Sequence, residues 1–89
     1  MIAITPGEPA GIGLELVAQL ADQRALSDCV LVGDEQWIRA GLPDHQNLAI
    51  HHIPMPEPSQ PGVLNAANAA YVLETIKAAT MGCLSGAYQ

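Results

Sequence analysis

The chain has 89 residues, three basic and nine acidic side chains, a formal net charge of −6 and an isoelectric point near 4.6. Its basic residues, Arg24, Arg39 and Lys77, stand far apart in the sequence. Nucleic acids and anionic membranes are bound through clustered Lys and Arg, so this composition argues against both as partners. A chain of this length is one small domain or a part of a larger one, and it is too short for a large enzyme.

The two cysteines and the N-terminus predict the cellular compartment. Cys29 and Cys83 are far apart and fit neither a metal-binding nor a redox spacing, so we expect buried, reduced thiols. Residues 1–6 contain no basic segment and no long apolar run. We therefore expect no signal peptide, no transmembrane helix and a cytoplasmic location.

Three short apolar runs predict the strands of a sheet. The first two are apolar without interruption and are followed by turn residues, which indicates buried strands, the first of them buried on both faces. The third is less regular and contains His51 and His52, which a strand would point to opposite faces. The predicted strands are residues 2–5, 29–32 and 48–53.

Helical periodicity predicts three helices, over residues 12–22, 34–39 and 63–81. Asp34 is expected to cap the second helix, which Gly41 and Pro43 close. The apolar stripe of the first helix consists of Ile12, Leu16, Val17 and Leu20.

The third helix follows an extended connector, residues 53–62, in which four prolines forbid a helix. One face of this helix combines small and apolar residues, and we expect that face to pack closely on the sheet. The face consists of Ala66, Ala69, Ala70, Leu73 and Ile76, with Thr80 the first polar residue to follow.

The alternation of strands and helices predicts an α/β protein with a mostly parallel sheet. Three buried strands would leave apolar sheet edges exposed, and a further strand is expected after the third helix. The sequence therefore has the pattern of the opening of a larger α/β domain.

The densest functional signal is the loop between the first strand and the first helix, residues 5–13, with the sequence TPGEPAGIG. Its glycines, Gly7, Gly11 and Gly13, allow positive φ angles and a close approach of backbone to ligand. The helix that follows offers free amides and a positive dipole end to an anion. Two interpretations stay open at this point: the glycines bind a ligand, or they only shape a tight turn.

Two known nucleotide-binding motifs fit this loop poorly. A P-loop needs a lysine after its second glycine, and no lysine precedes Lys77. The dinucleotide motif needs a third glycine, which the stretch from Gly11 and Gly13 to Leu16 lacks, although Asp34 falls where a ribose-binding acid would stand. A Rossmann-like binder remains an alternative, but Asp34 is interpreted as a helix cap.

The remaining polar residues predict no catalytic residue and no metal ligand. The three histidines have no metal-binding spacing with nearby acids or thiols, and no serine has the context of a catalytic nucleophile. The residues considered are His45, His51, His52, Ser27, Ser59 and Ser85.

The segment 4–13, ITPGEPAGIG, resembles the amino terminus of the 4-hydroxythreonine-4-phosphate dehydrogenase family. Further similarity lies in the patterns PG-x-L at 61–64, YV-x-ET at 71–75 and CL-x-G at 83–86. The resemblance covers essentially the whole chain but only the first quarter to third of a family member. It implies that residues 1–89 are an N-terminal segment of a larger α/β dehydrogenase domain, without a complete second domain.

The resemblance also implies a function. The fold is expected to be similar to isocitrate and isopropylmalate dehydrogenases, with NAD or NADP as cofactor and a divalent metal (Zn, Mg or Co) in the complete enzyme. Family members are homodimers that oxidise a phosphorylated hydroxy-amino acid in vitamin B6 synthesis. The glycine loop alone carries over, with Glu8, Gly11, Ile12 and Gly13 expected near the cofactor.

This sequence departs from the family pattern in two places. Leu14 stands where the family usually has proline, which would help to set the first helical turn. The stretch 33–59 is short for the family. Because no catalytic or metal residue is identified, we expect the isolated chain to be inactive. The alternative is a small, non-enzymatic α/β module that binds an anion or another chain.

Overall fold

Three parallel strands form a sheet in the order β1-β2-β3. In the computed structural model every residue is described except 8, 10, 24, 25, 46, 57–65 and 89. The pairing aligns Ile4 with Leu31 and Leu31 with Ile50, so these side chains share one face of the sheet. The predicted α/β class with a parallel sheet is confirmed. The strands are β1 (Ile2–Ile4), β2 (Cys29–Gly33) and β3 (Ala49–His52).

The three predicted helices are present with shifted ends. They are α1 (Gly13–Asp22), α2 (Glu35–Gly41) and α3 (Ala67–Leu84). Helix α3 continues past the predicted end at Met81, whereas its predicted start and the last part of the connector lie outside the described residues. Within the described part of the chain, no helix is long and apolar enough to cross a membrane.

One face of the sheet is covered by α1 and α2. The core of this layer unites five buried residues: Val17 and Ala21 of α1, Leu31 of β2, Ile38 of α2, and Leu42, which follows α2. Burial of one Leu or Ile side chain stabilises a fold by about 1.5–3 kcal/mol. This cluster therefore fixes both helices on the central strand.

The other face of the sheet is covered by α3, which contacts β2. Val30 and Val32 alternate with Leu31 along β2 and so point to this face, where both are buried. Helix α3 buries Asn68, Tyr71 and Thr75, which are three and four residues apart and share one helix face. A polar stripe of α3 therefore lies against the sheet.

The face of α3 that we expected to pack on the sheet points away from it. Leu73 is 68% exposed and Ile76 48%, and Ala66, Ala69 and Ala70 are exposed as well. Helical periodicity identifies a face but does not say which face meets a partner. Two hydroxyl groups of the polar stripe have hydrogen-bond partners inside: the Thr75 hydroxyl donates to the carbonyl of Val72 at 2.7 Å, and the Tyr71 hydroxyl accepts from the amide of Asp34 at 2.8 Å.

The predicted stripe of α1 is also partly wrong. Val17 is buried, but Ile12, Leu16 and Leu20 are exposed, Ile12 by 67%. The helix turns Leu14, Val17 and Ala21 toward α2, because α2 and the sheet lie on that side. The apolar row at Ile12, Leu16 and Leu20 is thus left on the surface.

Two further burial predictions are corrected. β1 is an edge strand whose Ile2 is 48% exposed, so it is not buried on both faces. Cys83 lies exposed in the last turn of α3 instead of being buried, and Cys29 is half-buried. Neither sulfur takes part in a disulfide.

Substitution of Gly13 tests how closely α1 approaches the chain after β1. A Cβ atom at Gly13 would lie 1.7 Å from the carbonyl oxygen of Pro6, so the backbone would have to shift. We expect Gly13→Ala to lower the free energy of unfolding by about 1–3 kcal/mol, although alanine otherwise favours helices. Urea denaturation followed by Trp37 fluorescence measures the loss.

The matched control for that substitution is Gly82→Ala. A Cβ at Gly82 would meet the ring of Tyr88, which is a side chain, whereas a Cβ at Gly13 would meet backbone atoms. We expect a smaller loss than at Gly13. Equal losses would show that α1 has room to adjust and that the contact with Pro6 does not fix it.

Candidate functional site at the carboxyl ends of the strands

The carboxyl ends of the three parallel strands gather the candidate residues on one edge of the sheet. The glycine loop follows β1, Asp34 follows β2, and His52 is the last residue of β3. In α/β folds, this edge is where ligands usually bind.

Two glycines of the loop have structural roles. Gly7 has φ +86°, a conformation that side chains rarely tolerate. Gly13 is the first residue of α1 and touches the Pro6 carbonyl, which leaves no room for a side chain. Shaping of the turn therefore accounts for Gly7 and Gly13, whereas Gly11 is exposed.

Three of the predicted cofactor residues are contiguous at the start of α1. Gly11 and Ile12 are exposed and Gly13 is half-buried, whereas Glu8 lies outside the described residues. Ile12 occupies the N-cap position, and its side chain makes no capping hydrogen bond. The first amides of a helix need partners from outside the helix, so the start of α1 presents N–H groups to solvent or ligand. Cofactor binding by these residues stays a prediction.

A cavity of about 260 Å³ opens beside Gly11, between the loop and the two helices. Leu14 forms part of its wall and packs at Gly41, where a Cβ atom would come within 2.4 Å of Leu14 Cδ2. Among the described residues of the lining Glu15 alone is charged, and the others are mostly apolar. Its lining residues are Pro9, Gly11, Leu14, Glu15, Ala18, Trp37 and Gly41.

Asp34 joins three segments at the end of β2. Its Oδ1 accepts a hydrogen bond from the amide of Trp37 at 3.0 Å, which caps α2 as predicted. Its Oδ2 accepts from the amide of Met55, beyond β3, at 2.9 Å. Its own amide donates to the Tyr71 hydroxyl at 2.8 Å. Both carboxylate oxygens therefore serve the fold, which disfavours the alternative in which Asp34 holds a ribose.

The pKa values of Asp34 and Tyr71 reflect this junction. Partial burial alone would raise the pKa of the Asp34 carboxyl, but the amides of Met55 and Trp37 and the nearby His52 outweigh it, so the pKa lies below its ordinary value. Burial raises the pKa of the Tyr71 phenol, and the Asp34 charge adds to that effect. Asp34 is thus held as a carboxylate and Tyr71 as a neutral phenol.

The three histidines diverge, and two of them confirm the predicted alternation in β3. His52 Nδ1 accepts from the Glu35 amide at 3.0 Å on the α2 side, whereas His51 Nδ1 lies 2.8 Å from the Tyr88 hydroxyl on the α3 side. His45 is hydrogen-bonded to Asp22, far from both. Among the described residues, no three His, Cys, Asp or Glu side chains are placed to hold a metal ion.

Sequence reasoning missed the two tyrosines. Tyr71 reaches the end of β2, where its ring also meets Trp37 edge to face at a centroid distance of 6.5 Å. Tyr88 folds back on α3 and bonds His51. The usable signal was the spacing of Asn68, Tyr71 and Thr75, which marks a second face of the helix besides the apolar one.

The lowered pKa of Asp34 gives a pH dependence of stability. A carboxyl with a lower pKa in the folded state stabilises the fold above its unfolded pKa, and that contribution disappears as pH falls through the folded-state pKa. We expect Asp34→Asn to lower unfolding free energy at pH 7 by about 1 kcal/mol and to flatten its fall between about pH 5 and pH 2. Urea midpoints across this range measure both effects.

The control for this prediction is Asp44→Asn. Asp44 is exposed, and this substitution removes the same charge from a position that makes no described hydrogen bond. A pH profile for Asp34→Asn as steep as those of the wild type and Asp44→Asn would contradict the role given to Asp34.

The hydroxyl of Tyr71 is tested by Tyr71→Phe. This substitution leaves the Asp34 amide without its acceptor, which costs about 1–3 kcal/mol when the amide is shielded from water. Tyr88→Phe removes the bond to His51 at the outer end of α3 and is expected to cost less. Trp37, the only tryptophan, reports unfolding of both variants. Equal effects of the two substitutions would show that the Asp34 amide is readily solvated.

Comparison with known proteins identifies curated enzymes that are similar to this chain. The chain is 38% identical to the 4-hydroxythreonine-4-phosphate dehydrogenase of Saccharophagus degradans, over 99% of the chain and 32% of the relative. The enzymes of that name from Chromobacterium violaceum and Aromatoleum aromaticum are 36% and 39% identical, over 99% of the chain and 32% and 31% of the relatives. No protein-family model matches the chain. The chain spans about a third of the length of these curated relatives.

The first of these alignments extends over 107 residues, more than the 89 residues of the chain. The relative therefore has residues at positions where this chain has none. The prediction that the stretch 33–59 is short for the family agrees in kind with this difference in length.

These identities confirm the resemblance carried by the segment 4–13. The structure agrees in class, with a parallel sheet and helices on both of its faces. Similarity to the isocitrate dehydrogenase fold stays a prediction. By sequence, the chain belongs to the 4-hydroxythreonine-4-phosphate dehydrogenase family, of whose members it matches about a third.

Proposed function

We propose that this chain is the N-terminal portion of an NAD(P)-dependent dehydrogenase that oxidises 4-phosphohydroxy-L-threonine in the biosynthesis of pyridoxal phosphate, vitamin B6. The observation that carries this proposal is the identity of 34–39% to enzymes named for that reaction, over 97–99% of the chain. The activity is that of a complete enzyme, in which this portion supplies one part of the site. A cytoplasmic location and a homodimer belong to the same proposal.

The part supplied by this chain is the loop before α1. Gly11 and Ile12 are exposed at the start of an uncapped helix, whose amides can donate to a phosphate or a carboxamide of the cofactor. NAD or NADP, when bound, accepts the hydride from the secondary alcohol of the substrate. The exposed Gly11 lets a ligand approach the backbone closely, because no side chain stands between them.

The cavity beside Gly11 fits a part of such a cofactor. Its volume of about 260 Å³ and its mostly apolar lining suit one planar ring, and the Trp37 side chain forms one wall. Glu15 in the first turn already interacts favourably with the helix dipole, which weakens the pull of that dipole on a phosphate. Hydrogen bonds from the backbone amides are then the main contribution of this loop to binding of the cofactor phosphate.

The described residues do not fit a divalent metal. No three potential ligands among them lie close enough together, so no step of the reaction is assigned to a metal on this segment. Zn, Mg or Co would be bound by the complete enzyme. The described residues also lack a pair placed for proton transfer at the loop, and we therefore expect the 89-residue chain to be inactive alone.

The alternative of a small non-enzymatic module that binds an anion or another chain has no observation of its own in its favour. The relatives named above match 99% of the chain, and each is named as a dehydrogenase. The uncapped helix at the glycine loop is equally expected in an enzyme that binds a cofactor there.

A chimera tests the proposed function. The matched third of the Saccharophagus degradans relative is replaced by this chain, and reduction of NAD or NADP is followed with 4-phosphohydroxy-L-threonine as substrate. We expect turnover by the chimera and none by the 89-residue chain alone. In the chimera, Gly11→Val should raise the KM for the cofactor roughly tenfold, which corresponds to about 1.4 kcal/mol, by placing a side chain between ligand and backbone.

The control is Ala40→Val, which adds a similar side chain at an exposed position of α2. The melting midpoint of each chimera separates loss of folding from loss of cofactor binding. A folded chimera without turnover would refute the function. An unchanged KM in Gly11→Val would refute the role of the loop, and turnover by the isolated chain would refute its inactivity.

A further inference from the structure

The outer edge of β1 has no neighbouring strand in the part of the chain that the structure describes, where β1 pairs with β2 alone. The Ile2 amide donates to the Asp28 carbonyl at 2.9 Å, so it points toward β2. Successive residues of a strand direct their backbone groups to alternate sides, and the amide and carbonyl of Ala3 therefore point outward. Such an edge is a template for a further strand.

Apolar side chains line the same edge. Leu14 packs at Gly41 of α2, and Leu16, two positions further along α1, lies on nearly the opposite side of the helix. Helix α2 contacts β3, so the flank of α1 that turns away from α2 lies toward β1. Leu16 and Leu20 of this flank are 51% and 40% exposed, and Ile2 below them is 48% exposed. The edge of β1 therefore combines outward backbone groups with exposed apolar side chains.

The path of the chain determines which edge of the sheet a following strand joins. Helices α1 and α2 lie on one face and lead from β1 to β2 and from β2 to β3. Helix α3 follows β3 but lies on the opposite face, against β2. Crossovers between parallel strands are right-handed in about 98% of cases. On the opposite face, a right-handed crossover runs in the opposite direction, back from β3 past β2 and β1.

We propose that in a complete family member the first strand after α3 pairs in parallel with the outer edge of β1. Its backbone groups would meet those of Ala3, and apolar side chains on one of its faces would cover Ile2 and Leu16. The relatives are about three times as long as the matched segment, which provides the polypeptide for this strand. The uninterrupted apolar sequence of residues 1–4 is itself typical of a strand in the centre of a parallel sheet.

This pairing has a consequence for the glycine loop. With the added strand, β1 stands where successive crossovers lead in opposite directions, which is the position at which open α/β sheets bind ligands. The loop that follows β1 opens at that position. The inference rests on the proposed function only through the membership of the family, because strand pairing requires no catalytic activity.

The test removes the outward amide of β1 in two settings. Ala3→Pro is made in the chimera described above and in the isolated 89-residue chain, and Ala3→Gly, which keeps the amide, is the control in both. Proline is tolerated in an edge strand where its nitrogen faces solvent, but it removes a ladder hydrogen bond in a central strand. We expect Ala3→Pro to lower the melting midpoint of the chimera by roughly 5 °C more than Ala3→Gly does. In the isolated chain the two variants should melt alike.

Hydrogen exchange in the chimera without these substitutions identifies the edge directly and does not depend on whether the Ala3→Pro chimera folds. The Ile53 amide donates to the Gly33 carbonyl at 2.9 Å, so the Ile50 amide points to the outer edge of β3. We expect exchange of the Ala3 amide to be at least tenfold slower in the chimera than in the isolated chain, with no such change at Ile50. Mass spectrometry of fragmented peptides measures both amides.

The contrary outcomes are distinct. Slower exchange at Ile50 but not at Ala3 would place the next strand beside β3 and overturn the proposal. Equal melting of the Ala3→Pro and Ala3→Gly chimeras would mean that the outward amide of β1 has no partner. An isolated chain that sediments as a dimer and is dissociated by Ala3→Pro would assign the edge to a second copy. None of these measurements uses turnover, so an inactive chimera would refute the proposed function and leave this test intact.

Discussion

The fold depends on the hydrogen bonds that meet at Asp34. Its carboxylate accepts from the amide that opens α2 and from Met55 beyond β3, while its own amide donates to Tyr71 of α3. The two helices that cover opposite faces of the sheet are thus joined at the end of β2. The position of the Tyr71 hydroxyl also requires glycine at position 33, because a Cβ atom on Gly33 would lie 2.7 Å from the hydroxyl oxygen. Polar contacts therefore join the end of β2 to α2, α3 and the chain after β3, whereas the core between α1, α2 and the sheet is apolar.

Local patterns in the sequence predict the elements well and their partners poorly. The Asp34 cap and the alternation of His51 and His52 are predictable because both depend on residues within one turn or one strand. The contacts of Asp34 with Met55 and Tyr71 join residues 21 and 37 positions apart, and no local pattern contains them. The same limit explains the reversed face of α3. Periodicity groups residues into faces, but the choice between two faces is made by tertiary contacts.

The glycine loop illustrates how structure divides one motif into different roles. Gly7 and Gly13 are required by the path of the backbone, the first by its positive φ and the second by its contact with Pro6. Gly11 has an exposed position beside the cavity. The sequence alone left shaping and binding as equal interpretations of the whole loop. Binding by the residues at the start of α1 stays a prediction.

The chain has a mean hydropathy of +0.21, and the structure buries only a part of its apolar residues. A small fold buries a limited fraction of its surface. Here the buried apolar side chains lie mainly between β2 and the helices on its two faces. The surplus forms two surface rows, one through Leu16 of α1 and one through Leu73 of α3. Polar side chains meanwhile occupy the inner side of α3, where Tyr71 secures the end of β2. Helix α3 thus places a side chain that can hydrogen-bond where the strand end needs an acceptor, while Leu73, Ile76 and Leu84 lie exposed on its other side.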